Sequence, residues 1–202
     1  YQCSRHIMET NNLFPVFLKL HTLHTLIVGG GNVGLEKLSG VLKNSPDAKV
    51  TLVAGNIRDE IIDLAAQHPT VKLVKRNVRI ADLWRKDLII LATDNKPLHV
   101  RLRKWARFTK TLINVADTPH LCDFYLGAVV TKGNLKVGIS TNGKSPTVAK
   151  RMREFLEETI PDDTNTLLDN MQQIRNDLKG DFQYKVNKLN EITTAWMNEK
   201  KK

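Results

Sequence analysis

Residues 25–34 read TLIVGGGNVG, and this stretch decides the fold class of the chain. The residues before the glycines predict a buried strand, and residues 33–42 carry apolar side chains at helical spacing. Gly29, Gly31 and Gly34 satisfy G-x-G-x-x-G between that strand and that helix, a pattern typical of dinucleotide binding. The first glycine permits the tight turn, the second lets backbone approach a pyrophosphate, and the third lets the helix pack closely. The alternative is a glycine-rich turn that binds nothing.

The same rhythm of strand and helix continues outward to residue 115. Further strands are predicted at 50–54, 71–74, 88–92 and 112–115, and further helices at 57–66 and 97–108. Nearly continuous apolar strands that alternate with helices predict a parallel sheet covered on both faces. Residues 13–116 are therefore expected to form a Rossmann-like α/β domain.

The pattern changes after residue 116. Strands at 124–130 and 135–140, joined by a turn at Lys132-Gly133-Asn134, predict a hairpin within a small β region spanning 117–146. Residues 147–202 are expected to form a helical domain. Its predicted helices run from Ser145 or Thr147 to Pro161, from 164 to 178 and from 182 to 197.

The composition restricts the function classes. The 202 residues are 41% hydrophobic and 26% charged, which is typical of a globular protein, and no apolar run is long enough for a membrane span. The net charge of +10 favours an anionic partner such as nucleic acid, an acidic membrane surface or a polycarboxylate. Two cysteines, Cys3 and Cys122, predict a reducing, cytoplasmic setting. Residues 1–7 lack the apolar run of a signal peptide, and Met8 is the expected natural start.

Two further segments are predicted to touch the cofactor at the ends of strands. Gly55 and Asn56 follow the second strand, where no acid stands to accept a hydrogen bond from a ribose 2′-hydroxyl. Asn56 can bond a ribose more weakly and Arg58 can attract a 2′-phosphate, so spacing alone leaves NAD and NADP open. Thr93 and Asp94 follow the fourth strand, where they are expected to contact the cofactor or to cap the next helix.

Asp117 follows the fifth strand and is the candidate catalytic residue. Its carboxylate is expected to face the same crevice and to take a proton while hydride leaves the substrate. The alternative is an ordinary Asp-x-Pro turn. His120 and Asp123 are interpreted as loop residues, since no second ligand stands at metal-binding spacing, and Cys122 is expected to pack. No metal site is predicted.

A fourth candidate segment leads into the first C-terminal helix. Hydroxyl groups, backbone N–H groups and the helix N-terminus can together form an anion-binding corner. The alternative is a capped helix with a solvated basic face. The residues predicted to bind substrate here are Thr141, Asn142, Lys144 and Ser145.

These pieces, in this order, resemble the precorrin-2 dehydrogenase / sirohydrochlorin ferrochelatase family, which includes the N-terminal part of bacterial siroheme synthases. The resemblance covers residues 13–161. It rests on residues 13–20, 27–33, 92–94, 114–117, 121–122, 139–146 and 149–156.

The resemblance implies NAD-dependent oxidation of precorrin-2 to sirohydrochlorin in siroheme biosynthesis, carried out by a homodimer whose β regions interlock. It implies cofactor contacts at Asn32, Val33, Gly55 and Asn56, and it assigns the essential aspartate of the family to Asp117. Precorrin-2 is a tetrapyrrole polycarboxylate, which a basic protein attracts. Some family members also insert iron into sirohydrochlorin, and the sequence leaves that activity open.

Three positions depart from the family pattern. Gly34 stands where alanine is more frequent, Thr141 where serine is frequent, and Thr118 replaces a frequent second acid. The alternative function is a non-catalytic, NAD-sensing dimeric module, in which Asp117 would have no purpose beyond structure. Nucleic acid is not expected as a partner, because no reader motif is present and the basic residues are dispersed. A membrane is not expected as a partner either, since no apolar run is long enough to span one.

Overall fold

The computed structural model describes residues 10–180 and 182–199, with side chains up to residue 194. Cys3 and the expected start at Met8 lie outside the described residues. The elements up to residue 115 are β1 His24–Val28, α1 Asn32–Asn44, β2 Lys49–Ala54, α2 Asp59–Ala66, β3 Val71–Lys75, β4 Leu88–Leu91, α3 Lys96–Thr109 and β5 Leu112–Val115.

The five strands form one parallel sheet in the order β3-β2-β1-β4-β5. Strands β2 and β3 are added on one side of β1, and β4 and β5 are then added on its other side. The strand order therefore reverses between β1 and β4, and such a switch point is where open α/β sheets bind ligands. The predicted Rossmann-like sheet is confirmed.

Two hydrophobic clusters cover the two faces of this sheet. Leu26 and Ile27 are neighbours on β1 but point to opposite faces, because side chains alternate along a strand. Leu26 lies in the cluster that contains Leu102 of α3, and Ile27 in the cluster that contains Leu38 and Ile61 of α1 and α2. Burying each such side chain stabilises the fold by about 1.5–3 kcal/mol.

Helix α3 has well-defined ends. Asn95 caps its N-terminus, since the Leu98 N–H donates to Asn95 Oδ1 at 2.9 Å. Pro97 lies in the first turn, where its missing N–H costs no intrahelical bond. The helix ends at Thr109 and is followed by Lys110, whose φ of 57° is left-handed. The alternative prediction that Thr93 or Asp94 provides the cap is therefore wrong.

The remaining elements are β6 Ala128–Lys132, β7 Leu135–Ile139, α4 Pro146–Thr159, α5 Thr164–Asp177 and α6 Phe182–Glu199. Strands β6 and β7 form the predicted antiparallel hairpin, but its first strand begins four residues later than predicted. Phe124 explains the difference, because it packs against the cluster around Ile27 and its carbonyl accepts from Asn114 Nδ2 at 2.8 Å. Lys132 is the last residue of β6 rather than part of the turn, since it pairs with Leu135.

The chain divides into two compact units. The first runs to Gly127 and includes Ser140–Ser145, while the second comprises Ala128–Ile139 and the chain from Pro146 onward. The three-part division at residues 13–116, 117–146 and 147–202 stays a prediction. Within the described ranges, no helix is both long and apolar enough to cross a membrane.

Candidate functional site

The carboxyl ends of four parallel strands lie side by side. Val28 of β1 is in register with Val53 of β2 and Leu91 of β4, and Leu91 is in register with Val115 of β5. Neighbouring strands are about 4.7–4.9 Å apart, so the segments that follow Val28 and Val115 are two strand spacings apart. Residues predicted from the sequence to touch the cofactor follow β1, β2 and β4 along this row, and the candidate catalytic residue follows β5.

The glycine turn after β1 is tightly built except at one position. Gly29 has a φ of 122°, and a Cβ added there would overlap the Ala92 carbonyl. A Cβ on Gly34 would overlap the Gly29 carbonyl, so the start of α1 packs directly on the turn. A Cβ on Gly31, in contrast, would have no heavy atom within 4 Å.

This open position fits a pyrophosphate. Gly31 is the N-cap residue of α1, and the first turn of that helix carries no acidic residue. Backbone N–H groups and the positive end of the helix dipole therefore meet open space there, which is how helix N-termini bind phosphate. Asn32 is exposed and Val33 half-buried at the start of the same helix.

The β2–α2 loop closes one side of the glycine turn. The Arg58 N–H donates to the Gly30 carbonyl at 3.1 Å, and a Cβ on Gly30 would overlap the Asn56 carbonyl. The Arg58 guanidinium donates to Asn32 Oδ1 and forms an ion pair with Glu60. Arg58 was predicted from the sequence to lie near the cofactor, but its ion pair with Glu60 was not predicted. Only the folded loop shows which acid the guanidinium reaches.

On the other side of the turn, Thr93 is held by a buried histidine. The Thr93 hydroxyl lies 2.9 Å from His99 Nε2, and its methyl group would lie 3.1 Å from a Cβ on Gly29. Burial lowers the pKa of His99, so the imidazole is neutral near pH 7. Its Nδ1 is buried and has no partner in the described part of the chain. Asp94 is exposed beside it.

The sequence reasoning also missed His99, although its spacing held a signal. His99, Leu102 and Ala106 lie at i, i+3 and i+7 of α3, and all three are buried. That spacing places them on one helix face. A polar residue on a buried face requires a partner, and Thr93 provides it.

Asp117 lies two residues beyond the end of β5, in a tight turn. The Thr118 N–H donates to the Val115 carbonyl at 3.2 Å, and Asp117 itself has a left-handed φ of 55°. Such a backbone is uncommon outside glycine and costs free energy, and residues of this kind cluster at functional sites. The Asp117 side chain is exposed and has no hydrogen bond or ion pair within the described ranges.

The segment that follows Asp117 is held by polar contacts of Asp123 and Cys122. Asp123 pairs with Arg103 through both carboxylate oxygens and accepts from the Ile113 N–H at 3.1 Å. Arg103 lowers the pKa of Asp123, so the carboxylate stays ionised. Cys122 Sγ accepts from the Val115 N–H at 3.2 Å, and burial raises the pKa of this thiol. These contacts fix the course of the chain just after Asp117.

The segment predicted to bind substrate forms its own compact loop. Thr141 Oγ1 donates to the Ser145 carbonyl at 3.1 Å and accepts from the Ser145 N–H at 3.3 Å. Asn142 has a left-handed φ of 53°, and the Lys144 N–H donates to the Thr141 carbonyl at 3.0 Å. The roles of Thr141, Asn142, Lys144 and Ser145 in binding substrate stay predictions.

No group of three or more His, Cys, Asp or Glu residues in the described ranges is arranged to hold a metal ion. His120 is exposed in the short 3-10 turn Pro119–Leu121.

Comparisons with known proteins agree with this architecture. Residues 16–128 match a family model described as NAD(P)-binding, and residues 132–159 match a model of the central part of sirohaem biosynthesis proteins. The siroheme synthase of Psychrobacter cryohalolentis is 36% identical over 168 residues, which cover 83% of this chain and 32% of that protein. The siroheme synthase of Methylococcus capsulatus is 37% identical over 153 residues, covering 76% and 32% respectively. The chain thus spans about a third of the length of these curated relatives.

A solved structure shares the fold. The structure of SirC, precorrin-2 dehydrogenase, superposes with a TM-score of 0.69 at 24% identity and covers 89% of each chain. The predicted order of a parallel sheet, a small antiparallel sheet and C-terminal helices is confirmed.

Proposed function

Because the chain belongs to the NAD(P)-binding family whose model spans residues 16–128, we propose that it is a precorrin-2 dehydrogenase. It oxidises precorrin-2 to sirohydrochlorin in siroheme biosynthesis and uses NAD. The family resemblance drawn from the sequence is confirmed by the siroheme synthase relatives and the sirohaem family model.

The observation that carries the proposal is the position of Asp117. This exposed carboxylate, on a left-handed backbone, stands at the carboxyl edge of the sheet two strands from the glycine turn. No cation in the described ranges pairs with its side chain. A carboxylate without such a partner is free to accept a proton from a bound substrate.

The cofactor is held by the glycine turn and its flanks. Gly31 and the N-terminus of α1 receive the pyrophosphate, while Gly55 and Asn56 meet the ribose. Thr93 limits the crevice from the β4 side, where its methyl group lies near Gly29. NAD, when bound, supplies the hydride acceptor.

Asp117 acts as the general base. The oxidation removes a hydride and a proton from precorrin-2, and the Asp117 carboxylate takes the proton. Because the side chain is exposed, it can then release that proton to solvent.

The substrate is drawn in by charge. Precorrin-2 carries several carboxylates, and the chain has a net charge of +10. Thr141, Asn142, Lys144 and Ser145 bind one of these carboxylates through hydroxyl, amide and ammonium donors.

The homodimer and the cytoplasmic location belong to the same proposal. Iron insertion is a second activity of the family, and comparing Fe²⁺ insertion into sirohydrochlorin with the protein-free rate tests it.

Replacing Asp117 by asparagine tests the proposal. Asparagine keeps the shape and tolerates a left-handed backbone but cannot take the proton. We expect kcat, followed as NADH formation from precorrin-2 and NAD, to fall about 10²- to 10⁴-fold. Thermal stability and NAD affinity should stay unchanged.

Asp47→Asn is the matched control, because Asp47 is an exposed acid before β2, at the opposite edge of the sheet. It should keep full activity. Wild-type turnover by a folded Asp117→Asn variant would remove Asp117 from the mechanism. NAD binding without any turnover by the wild-type protein would favour the NAD-sensing module instead.

A further inference from the structure

We propose that the ion pair of Glu60 with Arg58 makes this chain select NAD over NADP. The inference rests on the proposed function, since it concerns the cofactor of that same site. It assigns cofactor selection to a pair of side chains outside the glycine fingerprint.

Arg58 lies in the loop after β2, which is expected to contact the adenosine ribose. In dinucleotide-binding folds, the residues just beyond the second strand contact the 2′ position of that ribose, through an acid for NAD or an arginine for NADP. Here β2 ends at Ala54 without an acid, and Arg58 is the N-cap residue of α2. Its backbone N–H donates to Gly30, and its guanidinium donates to Asn32 at the start of α1. The guanidinium therefore bridges the β2–α2 loop to the start of α1.

Glu60 engages this guanidinium with both of its oxygens. Arg58 Nε donates to Glu60 Oε2 at 3.1 Å, and Arg58 Nη2 donates to Glu60 Oε1. The hydrogen bond from Arg58 lowers the pKa of Glu60 to about 2, so the carboxylate is ionised at neutral pH. The pair therefore brings one positive and one negative charge to this corner.

This arrangement treats the two cofactors differently. A ribose 2′-hydroxyl can donate to the Glu60 carboxylate and accept from an N–H of Arg58 that Glu60 does not use. A 2′-phosphate would bring close to two further negative charges beside that carboxylate and would find the guanidinium already paired. Arg58 and Glu60 keep 42% and 54% of their side-chain surface exposed, so solvent weakens the repulsion. We therefore expect discrimination of about tenfold to a hundredfold.

The test is a titration of NAD⁺ and NADP⁺ into the folded wild-type chain and the Glu60→Gln variant, followed by calorimetry. Wild type should bind NAD⁺ about tenfold or more tightly than NADP⁺. Glu60→Gln leaves Arg58 without its counter-charge, so NADP⁺ should bind about tenfold more tightly while NAD⁺ changes by less than about threefold. In the double variant Arg58→Gln/Glu60→Gln, the gain for NADP⁺ should be lost.

Asp63→Asn is the matched control, because it removes one exposed acid from the same helix. It should leave both affinities unchanged. An unaltered NADP⁺/NAD⁺ ratio in Glu60→Gln would overturn the inference, and so would an equal gain for both cofactors, which would place Arg58 at their shared pyrophosphate. Failure of the wild-type protein to bind either dinucleotide would instead overturn the proposed function.

Discussion

Four glycines of the β1–α1 turn are needed for two different reasons. A side chain at Gly29, Gly30 or Gly34 would overlap a backbone carbonyl of the protein itself. A side chain at Gly31 would meet nothing within 4 Å. Folding therefore requires glycine at positions 29, 30 and 34, while glycine at position 31 is required only if another molecule approaches the backbone there.

Gly31→Ala separates these two requirements. The Gly31 backbone has a φ of −88°, which alanine adopts without strain, so the folded chain should keep its melting temperature. The added methyl group occupies the space of the pyrophosphate, and NAD affinity should fall about tenfold or more. Calorimetric titration with NAD and thermal unfolding measure the two effects.

Gly40→Ala is the control for this substitution, since Gly40 is exposed in α1 and a Cβ there also meets nothing within 4 Å. It should raise the free energy of unfolding by about 0.5–1 kcal/mol, because glycine disfavours helix. NAD binding should not change. Wild-type NAD affinity in Gly31→Ala would show that the dinucleotide does not use this turn.

Within the part of the chain that the structure describes, helix α3 carries a buried titratable group, His99. His99 joins the first turn of this helix to Thr93, which lies two residues beyond the end of β4. Burial lowers the pKa of His99 and outweighs the opposing effects of the hydrogen bond with Thr93 and of the Asp94 charge. The helix is therefore tied to the sheet by a histidine that must stay neutral.

His99 should make stability depend on pH. Its pKa in the folded chain lies below the ordinary value of about 6.5, so on acidification the unfolded chain takes up the proton first. The contribution of His99 is fully present above pH 6.5 or so and is lost as pH falls below it. The measurement is the melting temperature of wild type and His99→Gln between about pH 8 and pH 5.

His99→Gln should cost about 1–3 kcal/mol at the alkaline end, because it disturbs a buried hydrogen bond. Its melting temperature should then fall less steeply than that of wild type on acidification. Parallel curves for the two proteins would show that His99 contributes nothing to the acid sensitivity.

The bounds of strands that are buried on both faces were predictable from the sequence. Strands β1 and β4 match their predicted bounds within a residue, because continuous apolar runs have few other places to go. The start of β6 was wrong, because the apolar residue Phe124 packs against the first unit instead of pairing with β7. Apolar character predicts burial, but it does not show which neighbour provides it.

The candidate site was predictable only where backbone alone determines it. The glycine pattern indicates a pyrophosphate turn, and the order of strands brings Asp117 to the same edge of the sheet. Side-chain pairs such as Arg58 with Glu60 and His99 with Thr93 depend on how loops fold back, which spacing does not reveal. The roles of the individual site residues stay predictions until binding is measured.

At the scale of the whole molecule, we expect the net charge of +10 to make the proposed reaction sensitive to salt. Ions screen the long-range attraction between a basic protein and a polycarboxylate, and the screening length falls below about 10 Å above 0.1 M salt. The KM for precorrin-2 should rise about fivefold or more between about 0.05 and 0.5 M NaCl, with little change in kcat. Steady-state kinetics at several salt concentrations measure this.

The affinity for NAD serves as the internal comparison, since NAD carries far less negative charge than the substrate. It should change much less over the same range. A KM for precorrin-2 that does not change with salt concentration would show that short-range contacts, rather than overall charge, determine substrate binding.

The division of the chain into two compact units has a practical consequence for anyone who dissects it. The polypeptide passes between the units three times, after Gly127, after Ile139 and after Ser145. A truncation at any single one of these junctions takes residues from a unit to which they belong: ending at Gly127 would strip Ser140–Ser145 from the first. Neither unit can therefore be excised by a single cut. A chimaera that exchanges the first unit must also exchange the separate six-residue segment Ser140–Ser145.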